Sequence, residues 1–356
     1  MMKNKIDTYR QKIDNIDDKL LSLVIERMGI VQDMSEVKKS LGIATFVSER
    51  EIKILNRLTN RKNKQLTKKQ ITDLFEVIFK TDKKVQHSLA SRAYRKENSI
   101  IKVNDLSFGG DENVIIGGPC AVESEEQMFR ITESLTKLGI KMIRGGAYKP
   151  RTSPYSFQGL GEKGLKILSK CREKYGVSVI SEVVDKDSAE KAVKYIDMLQ
   201  IGTRNMQNYE LLKIVGSLNK PVLLKRGMSA TLEETLLAVE YLLMHGCKDI
   251  VVCERGIRSF SNHNRNVLDV GFVSAWKRES HLPIIIDPSH ASGKKDSVLS
   301  HALSGIAAGA DGMIVECHDK PSEALSDGHQ ALPPSDFTEL IYKSNKIFNL
   351  VRENEK

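Results

Sequence analysis

The run VIIGG at residues 114–118 opens a series of eight short apolar segments that decides the fold, since an amphipathic stretch follows each segment. The other seven are KMIRG (141–145), VSVISE (177–182), MLQIG (198–202), PVLLKR (221–226), DIVVCER (249–255), PIIIDP (283–288) and GMIVE (312–316). Eight buried strands that alternate with helices predict an α/β protein with a (β/α)8 TIM barrel. An open doubly wound sheet is the alternative, but no GxGxxG follows the first segment, which argues against a dinucleotide-binding version.

The first hundred residues have a different pattern, which predicts a small all-α helical domain. A barrel takes ~250 residues, and the chain has 356, so a second domain is expected. Apolar residues three, four and seven apart predict helices from Ile6 to about Leu41, from Ser48 to about Leu58, and from Thr67 onward. The stripe expected to be buried on the third helix is Leu74, Phe75, Ile78, Phe79 and Val85. We therefore expect a helical domain at 1–90, a linker with a short β segment at 91–110, and the barrel at 111–356.

The first predicted helix is too long for the domain that contains it. At 1.5 Å per residue it would extend ~50 Å, more than a domain of about a hundred residues can cover by itself. A second copy of the chain would solve this. We therefore expect a homo-oligomer, with a dimer formed through the helical domain and a tetramer also compatible.

The net charge of +9 lies wholly in the first hundred residues, where 22 Lys and Arg stand against 13 Asp and Glu. Such a local surplus indicates an anionic ligand or a nucleic-acid surface, with a solvated helical face as the plain alternative. Few aromatic side chains and no nucleic-acid motif accompany the charges. We therefore expect no nucleic-acid partner.

No part of the sequence predicts membrane insertion or export. No apolar run reaches the ~18 residues of a membrane helix, and the charged N-terminus MMKNKIDTYRQKID lacks the apolar core of a signal peptide. The five cysteines are scattered without CxxC spacing, so neither a disulfide framework nor a structural zinc site is indicated. We expect a cytoplasmic protein with no membrane partner.

Reactive or charged residues stand at the carboxyl end of every predicted strand, where barrel enzymes assemble their active sites. In chain order they are Cys120; Arg144 with Lys149 and Arg151; Glu182; Arg204; Lys225 with Arg226; Glu254 with Arg255; Asp287 with His290; and Glu316. A single strand can end in a charge merely because it reaches solvent, but this does not easily explain all eight. The cations outnumber the carboxylates, which indicates a ligand with several phosphate or carboxylate groups.

Three strand ends supply the ligand types of a transition-metal site. Cys120, His290 and Glu316 offer a sulfur, an imidazole and a carboxylate. Asp327, in the SDG turn after the last strand, is the candidate for a fourth ligand. Taken singly, Cys120 is more often a small buried hydrophobe and His290 a hydrogen-bonding loop residue. As a set the four residues favour a divalent metal ion.

Eight motifs within residues 113–333 resemble those of the 3-deoxy-D-arabino-heptulosonate 7-phosphate (DAHP) synthases. They are GPCAVES (118–124), RGGAYKPRTSPYSFQGLG (144–161), QIGTRNMQN (200–208), LLKRGM (223–228), CERGIR (253–258), DPSHASG (287–293), GADGMIVECH (309–318) and ALSDGHQAL (324–332). The resemblance implies an aldol-type condensation of phosphoenolpyruvate with erythrose 4-phosphate, the first step of the shikimate pathway of aromatic amino acid biosynthesis.

Three alternatives to this activity remain open at the level of sequence. The 3-deoxy-octulosonate 8-phosphate synthases have comparable chemistry but typically show KANRTS where this chain has KPRTSP, and Pro150 favours the four-carbon aldehyde. A Schiff-base aldolase that uses Lys225 is the second alternative, which resistance to chelation would reveal. The third, a metabolite-binding regulator on an inactive barrel, conflicts with the complete ligand set.

The resemblance also implies roles for individual residues. The metal ligands would be Cys120, His290, Glu316 and Asp327, with Mn²⁺ the expected ion and other divalent transition metals open. Phosphoenolpyruvate would contact Arg144, Lys149, Arg204, Lys225 and Arg255, and erythrose 4-phosphate would contact Lys149, Pro150, Arg151, Thr152 and Ser153. The expected catalytic residues are Lys149, His290 and Asp287, with Lys149 donating to the developing negative oxygen and Asp287 orienting the attacking water.

The helical domain resembles the intertwined, all-helical chorismate mutases over roughly residues 3–90. The similarity lies in YRQKIDNIDDKLLSLVIER (9–27), Lys38, ERE (49–51) and Gln86. It implies that Arg10 of the partner subunit, together with Arg27 and Arg50, binds the two carboxylates of chorismate or prephenate. Lys38 and Gln86 would bind the ether oxygen, and Glu51 a hydroxyl group.

Two residues of the helical domain depart from that family's pattern. Val47 stands where an acidic residue is frequent, and Asp82 where a serine is common. Two functions are therefore expected for this domain. It would either convert chorismate to prephenate, or bind these compounds as a regulatory sensor that inhibits the barrel.

Overall fold

The computed structural model describes residues 2–40, 48–86, 89–91, 95–150 and 153–353. The chain divides into two compact units, Met1–Ser88 and Leu89–Lys356. The expected end of the helical domain, residue 90, differs from this division by two residues, whereas the expected linker at 91–110 falls within the second unit. The domain bounds stay a prediction.

The described part of the first unit contains three helices: α1 (Met2–Ser40), α2 (Ser48–Thr59) and α3 (Lys68–Gln86). Their bounds lie close to those predicted from apolar spacing. α3 contacts both α1 and α2, and Val31, Ile71 and Phe79 are buried between them. The prediction that Leu74 is buried is wrong for a single chain, because Leu74 is 54% exposed. The side chain of Val85 lies outside the described residues.

Apolar side chains cover much of the solvent-facing surface of this unit. Those more than two-fifths exposed are Ile6, Tyr9, Ile13, Ile16, Leu20, Leu21, Leu23, Ile25, Ile30, Met34, Val37, Ile52, Leu66, Leu74 and Val77. An exposed apolar area of this kind is unusual for a lone soluble chain and normally marks an interaction surface.

The second unit begins with a short antiparallel hairpin, β1 (Ile101–Val103) and β2 (Leu106–Phe108). Eight parallel strands then close into a barrel in chain order, with the last strand pairing with the first. They are β3 (Val114–Gly118), β4 (Met142–Arg144), β5 (Ser178–Val183), β6 (Met198–Ile201), β7 (Val222–Lys225), β8 (Ile250–Glu254), β9 (Ile284–Ile286) and β10 (Gly312–Glu316). The predicted (β/α)8 barrel is therefore confirmed, and each strand lies within two residues of its predicted bounds.

Helices on the outside of the barrel return the chain from each strand to the next. They are α4 (Glu125–Lys137), α5 (Glu162–Tyr175), α6 (Lys186–Ala192), α7 (Tyr209–Gly216), α8 (Leu232–Met244), α9 (Val270–Glu279), α10 (Pro288–Ser292), α11 (Lys295–Ala307) and α12 (Phe337–Glu353). Local polar residues fix where several of them begin. Thr231 and Glu234, for example, form a reciprocal capping box at the start of α8. No helix in the described ranges is both long and apolar enough to cross a bilayer.

Alternation along each strand sorts the apolar residues into two cores. One face packs against the helices. The other fills the barrel interior with Val114, Ile116, Met142, Ile180, Met198, Leu223, Val251, Cys253, Ile285 and Ile314. The hairpin joins this interior core through Ile101, Val103, Leu106 and Phe108, and Asn104 donates to the Ser178 hydroxyl at the start of β5. The hairpin therefore packs against the amino-terminal ends of the strands and leaves the carboxyl ends open.

Candidate active site at the carboxyl ends of the barrel strands

A cavity of about 330 Å³ lies at the carboxyl ends of the strands. Its lining residues are mostly polar and come from seven of the eight strand ends and the loops after them: Arg144, Lys149, Pro150, Ser153, Ser156, Glu182, Gln200, Gly202, Thr203, Arg204, Lys225, Met228, Arg255, Arg265, His290 and Asp327. All five cations expected to bind phosphoenolpyruvate are among them. A cavity with this lining is suited to a small ligand that carries several negative charges.

The four residues expected to hold a metal ion lie together at one side of this cavity. One sulfur, nitrogen or oxygen atom from each of Cys120, His290, Glu316 and Asp327 lies within 4.8 Å of the other three. The Cys120 thiol lies 3.2 Å from Asp327 Oδ2, and His290 Nε2 lies 3.4 Å from Glu316 Oε1. Asp327 reaches the cluster from a left-handed backbone conformation (φ 52°), which aspartate tolerates better than most residues. The structure thus brings together side chains that are 207 positions apart in the chain.

A second layer of contacts orients these four side chains. Asp287 Oδ2 lies 2.7 Å from His290 Nδ1, which leaves Nε2 directed at the cluster. Gln330 donates its amide to Glu316 Oε2 at 2.7 Å, whereas Oε1, which is fully buried, has no well-formed hydrogen bond. A carboxylate behind the histidine and a buried carboxylate oxygen that lacks a well-formed hydrogen bond are both features of a site built for a cation. The donor set of one sulfur, one nitrogen and two oxygens fits a divalent transition metal.

Burial controls the protonation of the cluster. Burial, and next the carboxylate of Glu316, raise the pKa of the Cys120 thiol to about 12. Burial also lowers the pKa of His290, which favours the neutral form that can ligate a metal. Burial disfavours ionised Asp287, but its neighbours His290 and Lys225 outweigh this and hold the pKa of Asp287 well below its usual value. Among these groups, Cys120 is the one that would need the charge of a bound metal ion to lose its proton and become a thiolate.

Several basic side chains enter the cavity from neighbouring strand ends. Arg144 Nη2 lies 3.3 Å from Glu316 Oε1, and the Lys149 ammonium donates to the Cys120 carbonyl (2.9 Å) and sulfur (3.0 Å). Lys225 is paired with Asp287, and Arg255 is 5% exposed. Burial opposes the charge on Lys149, yet the Cys120 sulfur and the Glu182 carboxylate raise its pKa, so the amine is protonated. Arg144, Lys149 and Lys225 are thus held in place by the candidate metal ligands Glu316 and Cys120 and by Asp287.

Glu182, Gln200 and Arg265 are three polar lining residues among those that had no role assigned from the sequence. Glu182 and Gln200 stand on adjacent strands with Gln200 Nε2 3.4 Å from Glu182 Oε2, and Gly202 leaves the space that this carboxylate occupies. Arg265, from the loop between β8 and α9, lies 3.6 Å from Asp327 Oδ1. The one sequence signal for Glu182 and Gln200 as lining residues is their position at the carboxyl end of a strand. Arg265 is eleven residues beyond its strand, so no spacing rule points to it.

The residues expected to bind the sugar phosphate are only partly described. Pro150 and Ser153 line the cavity. Arg151 and Thr152 lie outside the described residues, and their assignment stays a prediction. Asp287, the expected orienting residue for water, is fully buried behind Lys225 and His290 and does not line the cavity.

The residues expected to bind chorismate lie on the helical unit. Arg10, Arg27 and Lys38 are on α1, and Arg50 and Glu51 are on α2. The guanidinium of Arg27 is paired with Asp82 of α3, and that of exposed Arg10 lies 3.2 Å from Asp7. The side chain of Gln86 lies outside the described residues.

The chain forms a closed (β/α)8 barrel, and at its carboxyl end basic side chains surround a cluster of candidate metal ligands. These features define a barrel enzyme that acts on anionic substrates. The sequence profile of the DAHP synthetase I family matches residues 85–353, and that of chorismate mutase type II matches residues 9–87. The chain belongs to the DAHP synthetase I family and carries a chorismate mutase type II domain at its N-terminal end.

The similarity of the chain to individual proteins agrees with this membership. A phospho-2-dehydro-3-deoxyheptonate aldolase of Thermotoga maritima is 48% identical over 261 residues, which are 73% of this chain and 77% of the relative. A 2-dehydro-3-deoxyphosphooctonate aldolase of Syntrophobacter fumaroxidans is 30% identical over 265 residues, which are 69% of this chain and 91% of the relative. The crystal structure of the DAHP synthase of Thermotoga maritima has a TM-score of 0.71 at 46% identity and covers 74% of this chain and 76% of that one.

Proposed function

We propose that the residues of the barrel mouth, in the roles given below, carry out the condensation for which the family is known. The chain has the activity of a 3-deoxy-7-phosphoheptulonate synthase: it joins phosphoenolpyruvate to erythrose 4-phosphate and releases phosphate, in the first step of the shikimate pathway. The observation that carries the proposed roles is the convergence of four ligand atoms within 4.8 Å beside a cation-lined cavity.

We assign the inner cations to phosphoenolpyruvate. Arg204, Lys225 and Arg255 would bind its phosphate, and Arg144 and Lys149 its carboxylate and reacting end, because their charges converge on one cavity. Pro150, Arg151, Thr152 and Ser153 would hold the phosphate end of the sugar at the rim. Bound in this way, phosphoenolpyruvate would present its nucleophilic carbon to the aldehyde, so that binding would supply orientation.

The chemistry requires that the aldehyde accept electrons from a weak carbon nucleophile. A divalent ion held by Cys120, His290, Glu316 and Asp327 would polarise the aldehyde as a Lewis acid, and we take Mn²⁺ as the expected ion. As the carbon–carbon bond forms, Lys149 donates a proton to the developing oxyanion. Water adds to the second carbon of phosphoenolpyruvate and loses a proton, which restores the Lys149 ammonium. The carbon–oxygen bond then breaks, phosphate leaves with the bonding electron pair, and the hydroxyl proton is lost as the ketone forms. Asp287 supports these steps by holding Lys225 and His290. Because it lies behind these two residues, its proposed role in orienting the water would act through them.

The condensation is tested by mixing phosphoenolpyruvate with four-carbon and five-carbon aldehyde phosphates, with and without a chelator. We expect turnover with erythrose 4-phosphate at least 100-fold faster than with arabinose 5-phosphate, lost on chelation and restored by Mn²⁺. The octulosonate phosphate alternative predicts the reverse preference, and its lower identity of 30% against 48% makes it the weaker reading. An imine-forming enzyme would resist chelation and be trapped by borohydride.

The ligand role of Cys120 is tested by Cys120→Ala, with Cys247→Ala as the matched control. Both cysteines are buried, but the Cys247 thiol donates hydrogen bonds to the backbone carbonyls of Lys220 and Asp249, away from the cavity. We expect Cys120→Ala to lose bound metal and nearly all metal-dependent turnover, and Cys247→Ala to keep both. Metal content at the wild-type level in Cys120→Ala would remove this residue from the ligand set.

We further propose that the helical unit of a cytoplasmic homo-oligomer binds chorismate or prephenate through Arg10 of the partner subunit and its own Arg27, Lys38, Arg50, Glu51 and Gln86. The chorismate mutase type II domain supports conversion of chorismate to prephenate, and the same site would sense these compounds. A chain that starts at Leu89 separates the two roles. We expect it to keep synthase activity and to lose inhibition by prephenate. Equal sensitivity of the shortened and full-length chains would eliminate the sensor role.

A further inference from the structure

Arg27 of α1 is engaged by two residues of α3 that lie one turn apart. Its guanidinium forms an ion pair with the carboxylate of Asp82, and its central carbon lies 5.9 Å from the centre of the Phe79 ring. Asp82 is 8% exposed and Phe79 is 4% exposed. The cation is therefore held between an aromatic face and an internal carboxylate, both supplied by the helix packed against α1.

This ion pair bears directly on the ligand site, an inference that rests on the proposed role of Arg27. A ligand carboxylate bound to Arg27 would arrive at a guanidinium whose charge Asp82 already balances. It would also come within a few ångströms of the Asp82 carboxylate. Because the side chain of Asp82 is only 12% exposed, solvent and salt screen this like-charge repulsion less than at an open surface.

The exposure of the two partners shows which of them can respond to a ligand. The side chain of Arg27 is 33% exposed and keeps donors that face solvent. Asp82 is enclosed at the contact between α1 and α3 and cannot turn fully into water without disturbing that packing. A ligand must therefore share Arg27 with Asp82 or draw the guanidinium away from it.

We propose that Asp82 is an internal competitor for the carboxylate site at Arg27 and sets the affinity of the helical unit for dicarboxylate ligands. Chorismate and prephenate bind against this resident negative charge, so the site responds only at higher ligand concentration than its set of cations would otherwise allow. The opposite role for Asp82 would be to orient Arg27 for the ligand. The two roles predict opposite effects when the charge of Asp82 is removed.

The test uses the full-length chain with Asp82→Asn, which keeps the shape of the side chain and removes its charge. The matched control is Asp73→Asn, an exposed residue of α3 that lies nine positions earlier and so about 180° around the helix. Binding of prephenate and of chorismate is measured by titration calorimetry, and mutase turnover is measured in parallel. We expect the dissociation constants of Asp82→Asn to fall about tenfold, and those of Asp73→Asn to stay within twofold of wild type.

A double-mutant cycle with Arg27→Ala identifies the route of the effect. In the Arg27→Ala background, Asp82→Asn should no longer tighten binding, since the competed group is gone. Equal or weaker binding by Asp82→Asn in the wild-type background would overturn the proposal, as would tightening that persists without Arg27. Far-UV circular dichroism and a urea midpoint equal to wild type in each variant confirm that the helical unit is folded. If neither wild type nor Asp82→Asn bound either dicarboxylate, the proposed ligand site and this inference would both fail. Measurable binding that is unchanged in Asp82→Asn would remove the inference alone.

Discussion

Lys225 and Arg226 are neighbours in the chain, yet their charges lie on opposite sides of β7. Lys225 faces the cavity and is paired with Asp287. Arg226 faces the helices, with Nη1 2.9 Å from Glu254 and 3.0 Å from Asp269, and its guanidinium carbon 3.8 Å from the centre of the Phe272 ring. One residue of the pair is available to a ligand, and the other stabilises the barrel wall.

We predict that Arg226→Ala destabilises the barrel by roughly 3–5 kcal/mol, because it leaves the fully buried Glu254 without its cation. Burial already raises the pKa of Glu254, and loss of Arg226 would raise it further. The folded chain then binds a proton that the unfolded chain does not, so the loss of stability should be larger at pH 8 than at pH 5.5. Urea unfolding followed by Trp276 fluorescence measures this, since Trp276 is the single tryptophan and is buried in the barrel. A urea midpoint equal to that of wild type at pH 8 would contradict the prediction. Arg226→Lys keeps a positive charge and should lose less stability than Arg226→Ala.

The amino-acid types at the strand ends were sufficient to predict most of the cavity lining, because a parallel barrel directs every carboxyl end to one face. They were not sufficient to tell which of two adjacent charges points inward. For Glu254 and Arg255, the arginine enters the cavity and the glutamate does not. Gln330 and Arg265 act from loops, where no periodicity fixes the direction of a side chain.

At the scale of the element, the end of β3 depends on a backbone conformation that favours glycine. Gly118 has φ +142°, and a Cβ there would lie 2.2 Å from the Arg144 carbonyl oxygen of β4. Cys120 follows two residues later. The close approach of the two strands thus sets the position of Cys120, a proposed metal ligand, relative to Arg144, which is proposed to bind phosphoenolpyruvate.

We predict that Gly118→Ala destabilises the barrel by about 2–5 kcal/mol through backbone strain and overpacking, and lowers synthase turnover at least tenfold by displacing Arg144 and Cys120. Gly271→Ala is the control, because its Cβ would meet only a side-chain oxygen of Asp269 at 3.3 Å. Urea midpoints and initial rates measure both effects. Wild-type turnover in Gly118→Ala would show that β4 can move without disturbing the site.

Strand bounds were predictable within two residues because each buried strand is a compact apolar run between polar turns. The helices of the first unit were also predictable in extent, yet the buried face of α3 was not. Leu74 has the spacing of a core residue and is exposed, since one chain provides partners for only part of the apolar surface of its helices.

At the scale of the whole molecule, the exposed apolar residues of α1 suggest a second copy as their partner. We predict that Leu20→Glu weakens self-association of the chain at least tenfold, because Leu20 is 55% exposed and belongs to the stripe with Ile13, Ile16 and Leu23. Gln11→Glu adds the same charge about 180° around α1 and should have little effect. Sedimentation velocity over a dilution series measures both, and identical association of wild type and Leu20→Glu would refute the prediction.

The hairpin of β1 and β2 has a consequence for the traffic of small molecules. Because Phe108 and its neighbours fill the amino-terminal end of the barrel, the described residues leave the carboxyl end as the entrance for reactants and products. In a cavity that is closed at one end, the compound that binds at the closed end must enter before the compound that binds near the opening. The inner compound cannot leave while the outer compound is bound. Under the proposed assignment, phosphoenolpyruvate enters first and the sugar phosphate closes the passage behind it.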